Sequence, residues 1–91
     1  MYKLRPTSRF RKDVKLAEKR GYNIGLLTDV IKKLAGGETL GKSYSDHPLK
    51  GAYKGCRECH IASDWLLIYE VNGDALILRL MRTGTHSDLF E

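Results

Sequence analysis

Three histidines, His47, His60 and His86, lie in the second half of the chain together with Asp64 and several arginines. Imidazole has an unperturbed pKa of ~6.5, so two such rings can take and give protons in one reaction cycle near neutrality. RNA cleavage by transesterification needs that equipment. One group removes the 2′-hydroxyl proton, another protonates the departing 5′ oxygen, and a cation steadies the charged phosphorus centre. Asp64, directly before Trp65, could orient a histidine or share base duty. A lone histidine is ordinarily a surface or structural residue; the grouping of three with an acid and basic residues is what points to chemistry.

Two other motifs invite a chemical reading. Cys56-Arg57-Glu58-Cys59-His60 matches C-x-x-C-H, the pattern of c-type haem attachment, and would make a small redox or haem protein. In an extended strand, however, residues three apart point to opposite faces, so the thiols diverge instead of meeting one metal or porphyrin. Buried free thiols are the expectation, with no metal and no cofactor. Residues 50–55 interleave Lys50 and Lys54 with glycines and Tyr53, which suits either a phosphate grip or a turn with solvated lysines. Trp65 and Tyr69 read as packed aromatics, or, for Trp65, as the edge of a base pocket.

The elements that must position these residues follow from periodicity and punctuation. Residues 2–5 predict a short strand ended by Pro6, after which Thr7 or Ser8 caps a helix. Phe10, Val14 and Ala17 give that helix its apolar stripe, basic residues fill the other face, and Gly21 stops it in a left-handed cap. Asn23 caps a second helix with a stripe of Leu27, Val30, Ile31 and Leu34, ended by Gly36-Gly37. Residues 38–55 predict a mostly exposed loop, and strands follow at 56–61, 65–71 and 75–82. Asn72-Gly73 predicts a two-residue type I′ turn. In the last strand Leu76, Leu78 and Leu80 share the face that the helices cover, leaving the opposite face free for function, and residues 83–91 form a polar tail apart from Leu89 and Phe90.

At 91 residues the chain predicts one α+β domain over 1–91, with a core that needs no metal or disulfide. A net charge of +5 and a pI near 9.4 favour polyanions as partners. The first residues lack the apolar run of a secretory signal, and residues 65–69 fall far short of the ~20 needed to span a bilayer, so neither secretion nor a membrane partner is expected. With two cysteines the expected compartment is the reducing cytoplasm.

His47-Pro48-Leu49-Lys50-Gly51, Arg57-Glu58-Cys59-His60-Ile61, Asp64 through Tyr69, and Arg82-Thr83-Gly84-Thr85-His86-Ser87-Asp88-Leu89-Phe90 together resemble the YafQ branch of the RelE-type bacterial toxins. The likeness covers essentially the whole chain and implies a β-α-α-β-β-β domain, an antiparallel sheet packed against a helical hairpin. It implies the toxin of a type II toxin–antitoxin system, a cytoplasmic, ribosome-dependent mRNA interferase. Such a toxin enters the A site beside 16S rRNA, cleaves mRNA without a metal, and is silenced by a cognate antitoxin, with operator DNA engaged only through the antitoxin complex. Its catalytic residues would be His47, His60, Asp64 and His86, with His47 or His60 as base and His86 as acid. Trp65 and Phe90 would position a base, Arg82, Lys50 and Lys54 would hold phosphate, and Lys12, Lys15 and Lys19 would dock on ribosomal RNA. The sequence departs from the family at Ala62-Ser63, where a proline usually precedes the acid, and at Cys56. The alternative expectation is a catalytically weak relative acting mainly as co-repressor with its antitoxin on DNA.

Overall fold

The computed structural model describes residues 1–90. Strand β1 (Lys3–Pro6) leads into helices α1 (Ser8–Lys19) and α2 (Ile24–Ala35). The order then runs β2 (His47–Pro48), β3 (Arg57–Ala62), β4 (Trp65–Asn72), β5 (Ile77–Gly84) and α3 (His86–Phe90). The caps are those the sequence announced. Thr7 Oγ1 accepts from Phe10 N at 3.0 Å, Asn23 accepts from Gly25 N at 3.0 Å, and Gly21 adopts φ 79° where the first helix ends.

The sheet has five strands in the order β1-β5-β4-β3-β2. Its inner pairs are antiparallel, whereas β1 runs parallel to β5, because the helical hairpin carries the chain back before the sheet is completed. Residues 38–55, expected as loop, contribute the edge strand β2 and two turns of 3-10 helix, Lys42–Tyr44 and Gly51–Tyr53.

Three local expectations fail for local reasons. The β4–β5 connection spans residues 73–76, and its left-handed residue is Leu76 (φ 54°), not Asn72 or Gly73. Asn72 Oδ1 accepts from Ala75 N at 3.0 Å, so the side chain closes a wider loop than a type I′ turn, and Leu76 is left exposed before the strand begins. The polar tail adds an element to the expected β-α-α-β-β-β order: α3 follows β5 and buries Leu89.

The face opposite the helices carries an apolar cluster of its own. On the helix side Phe10, Ala17, Leu27, Val30 and Leu34 pack on Cys59, Leu67, Tyr69, Leu78 and Leu80. On the other side Cys56, Leu66, Ile68 and Leu89 form a smaller cluster, flanked by Leu49, Tyr53 and Met81. Full burial of each such leucine or isoleucine contributes ~1.5–3 kcal/mol. Strand alternation puts Met81 on the smaller cluster and Leu78 and Leu80 on the larger, and the register of β4 against β5 shifts between Ile68 and Tyr69. None of the described helices is long and apolar enough to cross a membrane.

Candidate active site

The smaller face carries the titratable groups. Glu58 and His60 are two apart on β3 and therefore share a face. His47 on β2 is the register partner of Glu58, and His86 opens α3 above them. All three imidazoles converge on one carboxylate oxygen. Glu58 Oε1 lies 3.5 Å from His60 Nε2, 3.8 Å from His47 Nε2 and 3.9 Å from His86 Nε2. Glu58 is 4% exposed, whereas the side chains of His47 and His86 are 50% and 56% exposed. A buried carboxyl thus sits beneath a ring of imidazoles whose outer members are open to solvent.

Asp64 fastens the third ring from outside. Its Oδ1 accepts from His86 N at 3.1 Å and lies 2.7 Å from His86 Nδ1. The hydrogen bond from His86 holds the Asp64 carboxyl below its ordinary value. With Nδ1 engaged by that carboxylate, Nε2 is the ring nitrogen left facing Glu58 and solvent. The turn that lacks the family's proline still delivers Asp64 to His86.

α3 itself is short and needs fixing. Thr85 N donates to Asp88 Oδ2 at 2.9 Å and Asp88 N donates to Thr85 Oγ1 at 3.1 Å, a reciprocal capping box. Arg20, at the end of α1, grips the same carboxylate at 2.6 Å and 3.1 Å. The arrangement requires glycine at position 84, where a Cβ would stand 2.9 Å from Asp88 Oδ2. Phe90, 46% exposed, lies 6.2 Å from the His86 ring and 5.9 Å from that of Tyr53, so an aromatic rim borders the cluster.

His47, His60, Asp64, His86 and Phe90 are brought together; other residues singled out from sequence are not. Trp65 is 4% exposed on the helix side, 5.0 Å from the Tyr22 ring, and its Nε1 donates to Thr83 Oγ1 at 2.9 Å. It is a core residue and presents no face to a base. Arg82 is also corrected: its Nε and Nη2 donate to Asp13 at 2.7 Å and 3.1 Å, and its side chain is only 14% exposed, so its charge ties α1 to β5 and is not open to phosphate. Lys50 and Lys54 are exposed around the turn that carries Tyr53, while Lys12, Lys15 and Lys19 are exposed on α1, across the sheet from the cluster. The residue missed was Glu58. Strand parity with His60 was the available signal.

Cys56 and Cys59 belong to different clusters on the two faces of the sheet and are both buried free thiols. Burial pushes the Cys59 thiol up to about 12. The group whose chemistry fits a metal lies elsewhere. Donor atoms of Glu58, His60 and His86 all fall within 4.8 Å of one another. A tetrahedral site with metal–ligand bonds of ~2.0–2.2 Å has ligand–ligand edges of roughly 3.4 Å, close to the separations around Glu58 Oε1.

Fold and site thus define a basic α+β domain bearing an open acid–base cluster on the sheet face away from its helical hairpin. The profile of a family described as bacterial toxin of type II toxin-antitoxin system, YafQ, matches residues 2–91. The mRNA interferase toxin YafQ of Escherichia coli K12 is 41% identical over 85 residues, covering 92% of this chain and 90% of that protein. Crystal structures of E. coli YafQ alone and in the DinJ–YafQ complex superpose with TM-scores of 0.93 and 0.91 at 37% and 38% identity, each covering 100% of both chains. A metal-bound toxin from Helicobacter pylori superposes with a TM-score of 0.92 at 41% identity, covering 99% of this chain and 100% of that one. The chain belongs to the YafQ family of type II toxin–antitoxin toxins.

Proposed function

We propose that this toxin is an endoribonuclease that cleaves mRNA on the ribosome by acid–base transesterification. The observation that carries the reading is the convergence of the His47, His60 and His86 Nε2 atoms on Glu58 at an exposed face. His47 takes the proton of the ribose 2′-hydroxyl, the freed oxygen attacks the adjacent phosphorus, and the bond from phosphorus to the 5′ oxygen breaks. His86 supplies the proton to that 5′ oxygen, leaving a 2′,3′-cyclic phosphate and a 5′-hydroxyl. His60 stands in a similar relation to Glu58 as His47 and can exchange roles with it. Glu58 complements positive charge on whichever ring holds the proton, Asp64 orients His86, and Phe90 stacks against a base at the rim. Lys50 and Lys54 hold phosphate.

An open site on a chain of 91 residues has little means of forcing flexible RNA into line for attack. Orientation is worth ~7–11 kcal/mol of a barrier, so the reading assigns it to the ribosomal A site, with Lys12, Lys15 and Lys19 docked on 16S rRNA. That substrate places the toxin in the cytoplasm. The single domain of residues 1–91 would be silenced by a cognate antitoxin, as the DinJ–YafQ complex suggests, and would meet operator DNA only through that antitoxin. The test compares cleavage of one mRNA, free and on programmed ribosomes, with analysis of the ends. Cyclic phosphate ends and much faster cutting on ribosomes are expected. Equal rates would leave an ordinary endoribonuclease, and no cleavage by a folded, antitoxin-binding chain would leave the co-repressor reading.

The H. pylori relative makes a second reading concrete. Glu58, His60 and His86 would hold a borderline divalent cation such as Zn²⁺ or Cu²⁺. Bound there, it would occupy the lone pairs that proton transfer requires, so chelator-treated toxin should cleave faster than metal-loaded toxin. Indifference of the rate to both treatments would remove this reading.

A further inference from the structure

His47 lies on a strand too short to hold itself. β2 is two residues long, and one of them, Pro48, has no backbone N–H to donate to the ladder. The residue before Asp46, Ser45, is left-handed at φ 47°, so the chain enters β2 through a bend that extended backbone does not favour. What anchors this entry lies on the other side of the sheet. Asp46 and His47 are adjacent and so face opposite ways, as do Arg57 and Glu58 on β3. Asp46 Oδ1 accepts from Arg57 Nε at 2.6 Å and lies 2.5 Å from Arg57 Nη2, and Asp46 Oδ2 accepts from the hydroxyl of Tyr69. Tyr69 is 2% exposed, the register partner of Arg57 on β4, and part of the larger core. An ion pair and an imidazole–carboxyl contact therefore stand back to back through the sheet, Asp46–Arg57 on the helix side and His47–Glu58 on the site side.

We propose that Asp46, clamped by Arg57 and the Tyr69 hydroxyl, is a positioning residue that sets where His47 stands relative to Glu58. The inference rests on the reading of His47 as a proton-transfer group, but the placement itself is independent of it. Burial and the neighbouring Asp46 carboxylate push the Tyr69 hydroxyl up, which keeps it a donor at any pH of interest. The clamp spans strands β3 and β4, so it references the short edge strand to the centre of the sheet. A misplacement of about 1 Å can cost roughly 10²-fold in rate, which sets the scale of the expected loss.

The test uses full-length toxin carrying Asp46→Asn or Tyr69→Phe, each alone and combined with His47→Ala. On programmed ribosomes each single variant should lower kcat by about 10- to 100-fold at unchanged KM, and should cause no further loss in the His47→Ala background. The same fractional loss in both backgrounds would mean a general structural role and would overturn the proposal. Imidazole NMR gives a readout that does not depend on catalysis. The His47 ring resonances should move in both variants while those of His86, tied to Asp64, stay in place. An unmoved His47 ring would overturn the proposal whatever the activity, whereas a moved ring with full activity in His47→Ala would instead overturn the role given to His47. If Asp46→Asn does not fold, Tyr69→Phe, which removes a single hydroxyl, decides alone.

Discussion

The two faces of the sheet are built by different means. On the helix side Cys59, Leu67 and Leu78 have no exposed surface, and apolar contact with the two long helices does most of the holding, joined by the Asp13–Arg82 and Asp46–Arg57 pairs. On the other side the apolar cluster is small, and above it the functional groups are fastened one at a time. Asp64 holds His86, the Thr85–Asp88 capping box and Arg20 hold α3, and Asp46 holds the strand of His47. Apolar packing is non-directional and tolerates small shifts, whereas a proton-transfer site depends on particular lone pairs meeting particular protons. The larger apolar cluster therefore supplies most of the stability, while directed polar contacts, one of them reaching through from the helix side, set the geometry of the site.

Breaking the site side should cost activity and little else. His86→Ala and His47→Ala are each expected to lower mRNA cleavage by ~10²–10⁴-fold, with thermal unfolding close to that of the parent because both rings are half exposed. Cleavage assays on programmed ribosomes check this, and undiminished cutting by both variants would refute the assignment of the pair. Breaking the apolar packing of the helix side should do the reverse. Leu67→Ala removes a fully buried side chain and should cost ~2–5 kcal/mol of stability, measured by urea unfolding. The remaining folded molecules should cleave at the parent rate.

The two cysteines sharpen the contrast, since one lies on each face. Cys59→Ser puts a hydroxyl into the larger core at a position with no exposed surface and should cost ~1–3 kcal/mol. Cys56→Ser, at the margin of the smaller cluster, should be nearly silent in activity. In the folded parent the Cys59 thiol, buried and held near 12, should resist alkylation at neutral pH until urea unfolds the chain. Rapid labelling of Cys59 in the native state would mean that the helix-side core opens far more readily than its packing implies.

What was legible in the sequence divides along the same line. Helices, caps and most strand positions follow from local pattern, and the imidazoles and Asp64 declare themselves by residue type. Glu58 is not marked by its type, since a glutamate in a strand looks like a solvated residue; only its parity with His60 and the pairing with His47 put it under the rings. Trp65 and Arg82 suit base and phosphate contacts by type, but their partners, Thr83 and Asp13, lie 18 and 69 positions away and nothing local announces them. The four-residue connection replaced the expected tight turn because the Asn72 side chain bonds forward to Ala75. α3 is too short to show a helical period, yet Thr85-His86-Ser87-Asp88 carried the capping-box signature that would have revealed it.

The smallest expected effect tests whether polar fastening, unlike apolar packing, answers to pH. The hydrogen bond from Arg20, followed by that from the Thr85 backbone, holds the Asp88 carboxyl well below the usual carboxylate range. A carboxyl depressed in the folded state stabilises it fully above the unfolded value of ~3.9 and loses that contribution as pH falls from there toward the lower folded value. Asp88→Asn removes the titrating group while keeping its shape. The parent should therefore exceed the variant in stability by a constant margin between pH 5 and 7, of at most ~1 kcal/mol for a partly exposed ion pair, and the margin should shrink steadily below about pH 4. The deficit of Leu67→Ala has no proton in it and should run level across the same range. Urea midpoints for the parent and both variants at several pH values make the comparison. A margin for Asp88→Asn that persists unchanged to pH 2 would show that the capping geometry alone, and not its charge, fastens α3.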